Sequence, residues 1–336
     1  MIVKGDITYR LADYSEKQKV IDFVNGNFDM KLPLINNDLF FEYYYHQLDN
    51  LQFCIAESSE GILACAGYIR SSLEDDSPIW VSIWVAKKGF NGVGLSLMDA
   101  VPTLTGSRLV ACNNIRPETC VFYRFLGWTA ERINHYYRIA PKDFYNVCVP
   151  ETLKRKAVRG DLYLHRLTHS EFDLIDIPAS SLEPHKDKWY LNRRYFSYPL
   201  KQYNVYSVQD IAGSTLAILV ISQVEAFYEE DPDTKYTVLR IVDFIGDPQI
   251  LPRAGIALDQ LLLESGAEYI DCYNVGIDNK VWAETGFCER APDDEAIIPN
   301  YLTSILRKNT DYYYFTSDPE NFVMFKADGD QDRPHI

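Results

Sequence analysis

Three stretches hold residue types whose spacing could do chemistry. The first is Lys87-Lys88-Gly89-Phe90-Asn91-Gly92-Val93-Gly94, in which Gly92 and Gly94 let the backbone approach a ligand closely. A turn of this kind that opens a helix presents unpaired N–H groups and the partial positive end of the helix dipole. That is anion-binding chemistry, suited to a pyrophosphate. The stretch is neither GxGxxG with a following ribose acid nor the GxxxxGKS/T of a P-loop. The second is Lys186, Lys188, Arg193, Arg194 and Lys201, interleaved with Trp189, Tyr190, Tyr195 and Tyr198. The cations could bond a diphosphate and the rings could stack on a base or sugar. A solvated helix with aromatic core positions would show the same pattern. The third is Asp328, Asp330 and Asp332, which alternate as in a calcium loop. Arg333 stands where that loop needs glycine, so no metal is expected and the acids should cap turns or pair with Arg333.

The elements that must position the first stretch follow from its flanks. Ile79, Val81, Ile83 and Val85 fall on one face at period two, which predicts a strand over Ile79–Ala86. Leu95, Met98 and Val101 mark a helix that Pro102 is expected to end. Leu109-Val110-Ala111-Cys112 reads as a further strand, and Pro117 with Glu118 marks a second helix start that Gly127 stops. Tyr123 lies in that helix four residues before Gly127, where composition alone favours a core aromatic over a catalyst.

The chain then repeats itself. Gly5-Asp6-Ile7-Thr8-Tyr9-Arg10-Leu11 is echoed by Gly160-Asp161-Leu162-Tyr163-Leu164-His165-Arg166-Leu167, and Leu126-Gly127-Trp128-Thr129-Ala130-Glu131-Arg132 by Thr285-Gly286-Phe287-Cys288-Glu289-Arg290. Between the echoes the second half also alternates over Val238–Phe244, turns over Gly246–Gly255 and carries an apolar helix side at Leu258, Leu261 and Leu262. With 336 residues and roughly 150 per domain, this predicts a duplicated α/β domain rather than a solenoid. The expected domains are 1–150 and 160–336, joined by a polar linker between Pro150 and Gly160.

Composition narrows the function classes. Apolar residues at 47% and charged residues at 24% describe a globular chain rather than a disordered one. A net charge of −15 disfavours nucleic acid or an anionic membrane as the main partner. The seven cysteines show no CxxC spacing, so reduced thiols of a cytoplasmic protein are expected. MIVKGDITYR lacks the apolar core of a signal peptide, and Thr215–Ile221 falls far short of the roughly 20 residues that span a bilayer, so no membrane insertion is expected.

Taken in order, these residues resemble the GNAT superfamily of acyl-CoA-dependent N-acyltransferases over about residues 5–140. Its pattern is a strand, Q/R-x-x-G-x-G/A and a helix, then a strand and a helix with Y-x-x-x-G-F. Here the first motif reads Gly89-Phe90-Asn91-Gly92-Val93-Gly94 and the second Tyr123-Arg124-Phe125-Leu126-Gly127-Trp128. Gly89 replaces the usual Arg or Gln, and Arg116 replaces the Asn common seven residues before the Tyr. The resemblance implies a mixed-sheet α/β (α+β) fold in two tandem copies. It places acyl-CoA on Val85, Lys88, Gly89, Asn91, Gly92, Val93 and Gly94, with a backbone N–H near Val85 facing the oxyanion. Tyr123 becomes the candidate general acid for the departing thiolate. Glu118, His135 or a water relay would take the amine's proton. In the second half Arg253-Ala254-Gly255-Ile256-Ala257 matches the end of the turn, but Trp282 stands where Tyr123 would and Pro248 and Pro252 interrupt. The first half is therefore expected to hold acyl-CoA and the second to bind the acceptor.

A further resemblance concerns that acceptor. Phe325–Pro334, Ile298-Pro299-Asn300-Tyr301 and Asn192-Arg193-Arg194-Tyr195 look like stretches of bacterial surface-polysaccharide biosynthesis proteins. In that group tandem GNAT-fold enzymes acylate an amino sugar on a nucleotide diphosphate, such as a dTDP-linked 3-amino-3,6-dideoxyhexose, with acetyl or a short hydroxylated acyl group. The resemblance implies Arg193, Arg194, Tyr195, Asn300, Tyr301 and Arg333 as acceptor-binding residues. A small-amine or aminoglycoside acetyltransferase and a non-catalytic acyl-CoA or nucleotide sensor are the rival readings.

Overall fold

The computed structural model describes residues 1–28, 30–48, 50–149 and 156–333. The chain forms two compact units, each closed by a returning segment. Met1–Glu131 is joined by Tyr313–Glu320 and the residues from Gly329 onward, and Arg132–Tyr312 by Asn321–Asp328. This division differs from the one expected between Pro150 and Gly160. Asn134–Ile139 pairs antiparallel with Tyr269–Val275 along its whole length, and Glu268 accepts the N–H groups of Asn146 and Val147 at 2.7 and 2.8 Å. Residues 132–149 are thereby tied into the second unit, while Pro150–Arg155 of the expected linker lie outside the described residues.

The first unit is an eight-stranded mixed sheet in the order Ile2–Lys4, Ile7–Leu11, Phe53–Ser58, Gly61–Arg70, Ile79–Ala86, Val110–Ile115, Tyr313–Thr316 and Thr129–Arg132. The expected strand Ile79–Ala86 is present, and a parallel partner follows it after the crossover helix Val93–Thr105. Leu97, Met98 and Val101 of that helix are fully buried against the sheet. The helix does not end at Pro102 but runs on to Thr105 and is capped by Gly106 at φ 71°. Pro102 stands in the last turn, where the N–H it lacks removes a single bond from a ladder about to end.

Parallel pairing of the two strands is limited among the described residues to Ile79↔Val110 and Trp80↔Ala111. A register shift between Gly67↔Ile83 and Tyr68↔Val81 leaves Ser82 as the extra residue of a bulge. Beyond these points the strands run on unpaired with each other, which opens a wedge at their C-terminal ends. Val110–Ile115 turns its other edge to Tyr313–Thr316 instead.

The second unit repeats the plan. Its sheet runs Tyr163–Arg166, Asn204–Gln209, Thr215–Tyr228, Asp231–Gly246, Tyr269–Val275, Asn134–Ile139 and Cys288–Glu289. Asp231–Gly246 and Tyr269–Val275 are its parallel pair, from Leu239↔Ile270 to Ile241↔Cys272, with Gly255–Glu264 as the crossover helix. The fold is thus α/β with two tandem mixed-sheet copies. The copies differ in one respect that matters to function. In the second, Met324–Phe325 pairs with the end of Tyr269–Val275, and the Ala327 N–H donates to the Val242 carbonyl at 3.1 Å. The chain's own late segment fills that wedge.

No helix among the described residues is long and apolar enough to cross a membrane.

Candidate active site

The first unit offers an open cradle at the end of Ile79–Ala86. Gly92 caps the crossover helix at φ 85°, a left-handed conformation that an L side chain adopts only under strain. A β-carbon added at Gly92 would meet nothing within 4 Å, so space lies directly over the helix start. Gly94 is required for the opposite reason, because its β-carbon would come within 2.9 Å of the Ala86 side chain. Trp84 Nε1 donates to the Gly94 carbonyl at 3.1 Å and fixes the helix start on the strand. Lys88, Gly89, Asn91 and Gly92 are exposed while Val85, Val93 and Gly94 are buried, so the turn shows solvent a rim of backbone and polar groups. Lys87 reaches Glu60 at 3.8 Å and covers the Phe90 ring at 5.1 Å. The Val93 N–H reaches back to the Phe90 carbonyl at 3.4 Å, and the N–H groups that follow it at the start of this thirteen-residue helix have no acceptor four residues back, which is the kind of donor a pyrophosphate needs.

The corresponding place in the second unit is closed. A β-carbon on Gly255 would meet the Arg159 carbonyl at 2.8 Å and the Val158 side chain at 3.1 Å. The Arg253 carbonyl accepts the N–H groups of Asp161 and Leu162 at 3.1 and 3.3 Å. The Arg253 guanidinium is turned onto the Asp161 carboxylate through two bonds of 2.9 and 2.8 Å. The R-x-G-x-A match in the second half is therefore a helix start covered by residues 158–162, next to a wedge filled by Met324–Ala327.

Tyr123 lies in the short helix Cys120–Phe125 and is 4% exposed. Its ring stacks on Phe315 at 4.0 Å and lies 5.8 Å from Trp84, whose indole bonds Gly94. Burial, with the Cys112 thiol second, holds the Tyr123 phenol well above its ordinary value, and a bond to Thr119 only partly opposes this. The phenol is thus protonated at neutral pH and suited to donating a hydrogen bond. In the second unit Trp282 takes the matching place four residues before Gly286, and its indole N–H donates to Asn274 Oδ1 at 3.1 Å.

The two side chains expected to accept a proton are placed differently. Glu118 sits exposed on the turn Pro117–Thr119. His135 has no exposed surface and lies inside the second unit. Its Nε2 meets Asp271 Oδ2 at 3.0 Å, its Nδ1 accepts from Arg290 Nε at 3.0 Å, and its ring stacks on Tyr273 at 3.9 Å. Burial lowers it to about 4, Asp271 opposing this only in part. With both nitrogens engaged, His135 has no basic atom open to a substrate.

The expected acceptor residues are not brought together. Arg194 and Tyr195 are buried, the former donating to the Ala327 carbonyl and Tyr203 at 3.0 Å each, the latter to Asp243 at 2.5 Å. Asn300 Oδ1 accepts from Arg240 at 3.1 Å, Tyr301 is exposed and Arg333 pairs with Asp330 at 2.7 Å. The basic-aromatic stretch does border a cavity of about 530 Å³ in the second unit, with Tyr195 of the expected residues in its wall beside Arg166, His169, Tyr198, Lys201 and Tyr203. Arg193 is absent from that wall. Arg166 and His169 lie outside the basic run, Arg166 within the segment that echoes the N-terminus and His169 just beyond it.

No protein-family model and no curated protein matches the sequence. Solved structures do match the fold. A probable N-acyltransferase from Enterococcus faecalis V583, a conserved protein of unknown function, is 14% identical over 94% of this chain and 73% of its own, with a TM-score of 0.54. A GCN5-related N-acetyltransferase from Anabaena variabilis is 10% identical over 92% of this chain and 72% of its own, also at 0.54. At these identities the similarity is one of fold, and the fold is GNAT-like across nearly the whole chain.

Proposed function

We propose that this protein is an N-acyltransferase that takes its acyl group from acyl-CoA in the first unit and delivers it to the amine of a nucleotide-linked amino sugar. The observation that carries the reading is the contrast between the two helix starts: the one that follows Ile79–Ala86 is open over Gly92, and its duplicate at Gly255 is covered by the protein's own backbone. Of these two cradles, among the described residues, the first alone leaves room for a pyrophosphate and its pantetheine arm. Lys88, Gly89, Asn91, Gly92, Val93 and Gly94 would hold the CoA phosphates, with the backbone near Val85 facing the thioester carbonyl.

The reaction is direct attack of the neutral amine on the thioester carbon, with loss of the CoA thiolate. Tyr123 is the donor to that sulfur. A phenol held far above an alkyl thiol, which titrates near about 8.5, stabilises the thiolate through a hydrogen bond rather than by complete transfer. The second unit's cavity supports an anionic, ring-bearing acceptor, since Arg166 and Lys201 can meet phosphate oxygens while Tyr198 and Tyr203 offer ring faces.

The test is thiol release from acetyl-CoA and from longer or hydroxylated acyl-CoAs, each against dTDP- and UDP-linked amino sugars and against simple amines and aminoglycosides. Release that requires an amino sugar establishes the reading. Release with simple amines alone would move the acceptor to a small cationic amine. CoA binding without any turnover would make the protein a sensor.

A further inference from the structure

Glu118 is exposed on its turn and His135 has both ring nitrogens engaged, whereas Gly329–Gln331 lie beside the first unit's wedge. Gly329 lies against Trp80, the last residue of the parallel ladder: a β-carbon there would be 3.2 Å from Trp80 Cβ. Gln331 Oε1 accepts from Asn114 Nδ2 at 3.2 Å, on the strand across the wedge. Between these two anchors stands Asp330, a carboxylate only 4% exposed. Its orientation is fixed by Gln331 Nε2 on Oδ1 at 3.0 Å and Arg333 Nη1 on Oδ2 at 2.7 Å.

The groups around Asp330 belong to both sides of the divergence. Its charge, after burial itself, raises the Cys112 thiol on one strand and the Tyr45 phenol. Tyr45 is hydrogen-bonded at 2.7 Å to Ser82, the bulge residue of the other strand. Cys112 also shares the first unit's core with Tyr123. A carboxylate and a protonated phenol therefore flank one thiol at the point where the sheet opens. The pairing of Asp330 with Arg333 offsets the cost of burying the charge, and a buried charged group beside the opening of a cleft is a functional-site candidate.

We propose that Asp330 is the catalytic proton acceptor of the first unit. This rests on the transferase reading above. The amine nitrogen forms its bond to the thioester carbon, the C–S bond breaks with its electrons going to sulfur, and the surplus proton of the nitrogen passes to Asp330. The thiolate, held by Tyr123, takes its proton from solvent, and Asp330 releases its own to solvent, so amide and free thiol are the products. Arg333 is a positioning residue that keeps the carboxylate plane aimed.

The test compares wild type with Asp330→Asn and Asp330→Ala in the full chain, using the acyl-CoA and acceptor that give thiol release. Asp330→Asn should lower kcat at least about 100-fold, as loss of a general base does, with KM for acyl-CoA and the affinity for CoA within about twofold. Added formate should restore part of the rate to Asp330→Ala and leave wild type unchanged, a response that a structural role would not give. Asp330→Asn with wild-type kcat, or an Asp330→Ala protein that binds CoA normally yet ignores formate, overturns the proposal while the transferase stands. A wild type that binds CoA but releases no thiol with any amine overturns both.

Discussion

The reading of the Gly92 turn as a phosphate cradle is tested by a pair of substitutions at the two ends of one helix. Gly92 and Gly106 cap Val93–Thr105 at φ 85° and 71°, and a β-carbon at either would find nothing within 4 Å. Replacing each by Ala therefore imposes the same cost, about 1–2 kcal/mol for an L residue held in the left-handed region. At about 2–4 °C per kcal/mol for a unit of this size, both variants should melt about 2–8 °C below wild type. Only Gly92→Ala puts its methyl group over the N–H groups of the helix start. Displacing one charge-assisted bond of about 1.5–3 kcal/mol weakens CoA by about 10–100-fold. Gly106→Ala should bind CoA as wild type does. Calorimetric titration with CoA beside thermal melts reads both quantities. Equal weakening in the two variants would trace the effect to helix strain, and unchanged binding by Gly92→Ala would remove the cradle from the mechanism altogether.

Three further outcomes follow from other parts of the molecule. Tyr123→Phe should leave CoA affinity intact and lower kcat about 10–100-fold, the worth of one bond to a thiolate; an unchanged rate in a steady-state assay removes Tyr123 from the chemistry. His135 is held to about 4 in the fold against about 6.5 in the unfolded chain, so the unfolded state binds the extra proton between those values. Stability should therefore be full above about pH 6.5 and fall by about 3 kcal/mol as pH drops through 4, and denaturant melts of His135→Gln should lack that part of the slope. Phe325→Ala, at a side chain 1% exposed in the filled wedge of the second unit, should cost about 3–5 kcal/mol, read as a lowered transition in calorimetry. A change below about 1 kcal/mol would mean that the wedge closes without it.

How much of this was legible in the sequence depended on whether the signal was local. Ile79–Ala86 alternates at period two along its own length, and Gly92 and Gly127 punctuate helices whose residues are contiguous, so the strand, the turn and the tyrosine helix could be read directly. The echoes around Gly5 and Gly160 carried the duplication for the same reason. Tyr313–Thr316 and Met324–Phe325 are only four and two residues long, and each becomes a strand because a distant edge accepts it. No periodicity announces such a partner. The basic stretch misled in the same way. Arg194, Tyr195 and Lys186 look like a solvated anion site until Asp243 and Asp328, far away in sequence, take up Lys186 at 2.6 and 2.7 Å and Asp243 accepts from Tyr195.

The alternating acids at the end of the sequence show how one motif can be divided between tasks. Asp328 belongs to the second unit, where its carboxylate accepts the Phe325 N–H at 2.8 Å and an ion pair from Lys186, holding the segment that fills the wedge. Burial, opposed by Lys186, raises Asp328 to about 6, the mark of a carboxylate whose environment was built for packing. Asp330, two residues on, belongs to the first unit, whose wedge is free of any such strand among the described residues. Met324–Phe325 pairs with Tyr269–Val275 inside the second unit, whereas Gly329 lies against Trp80 inside the first.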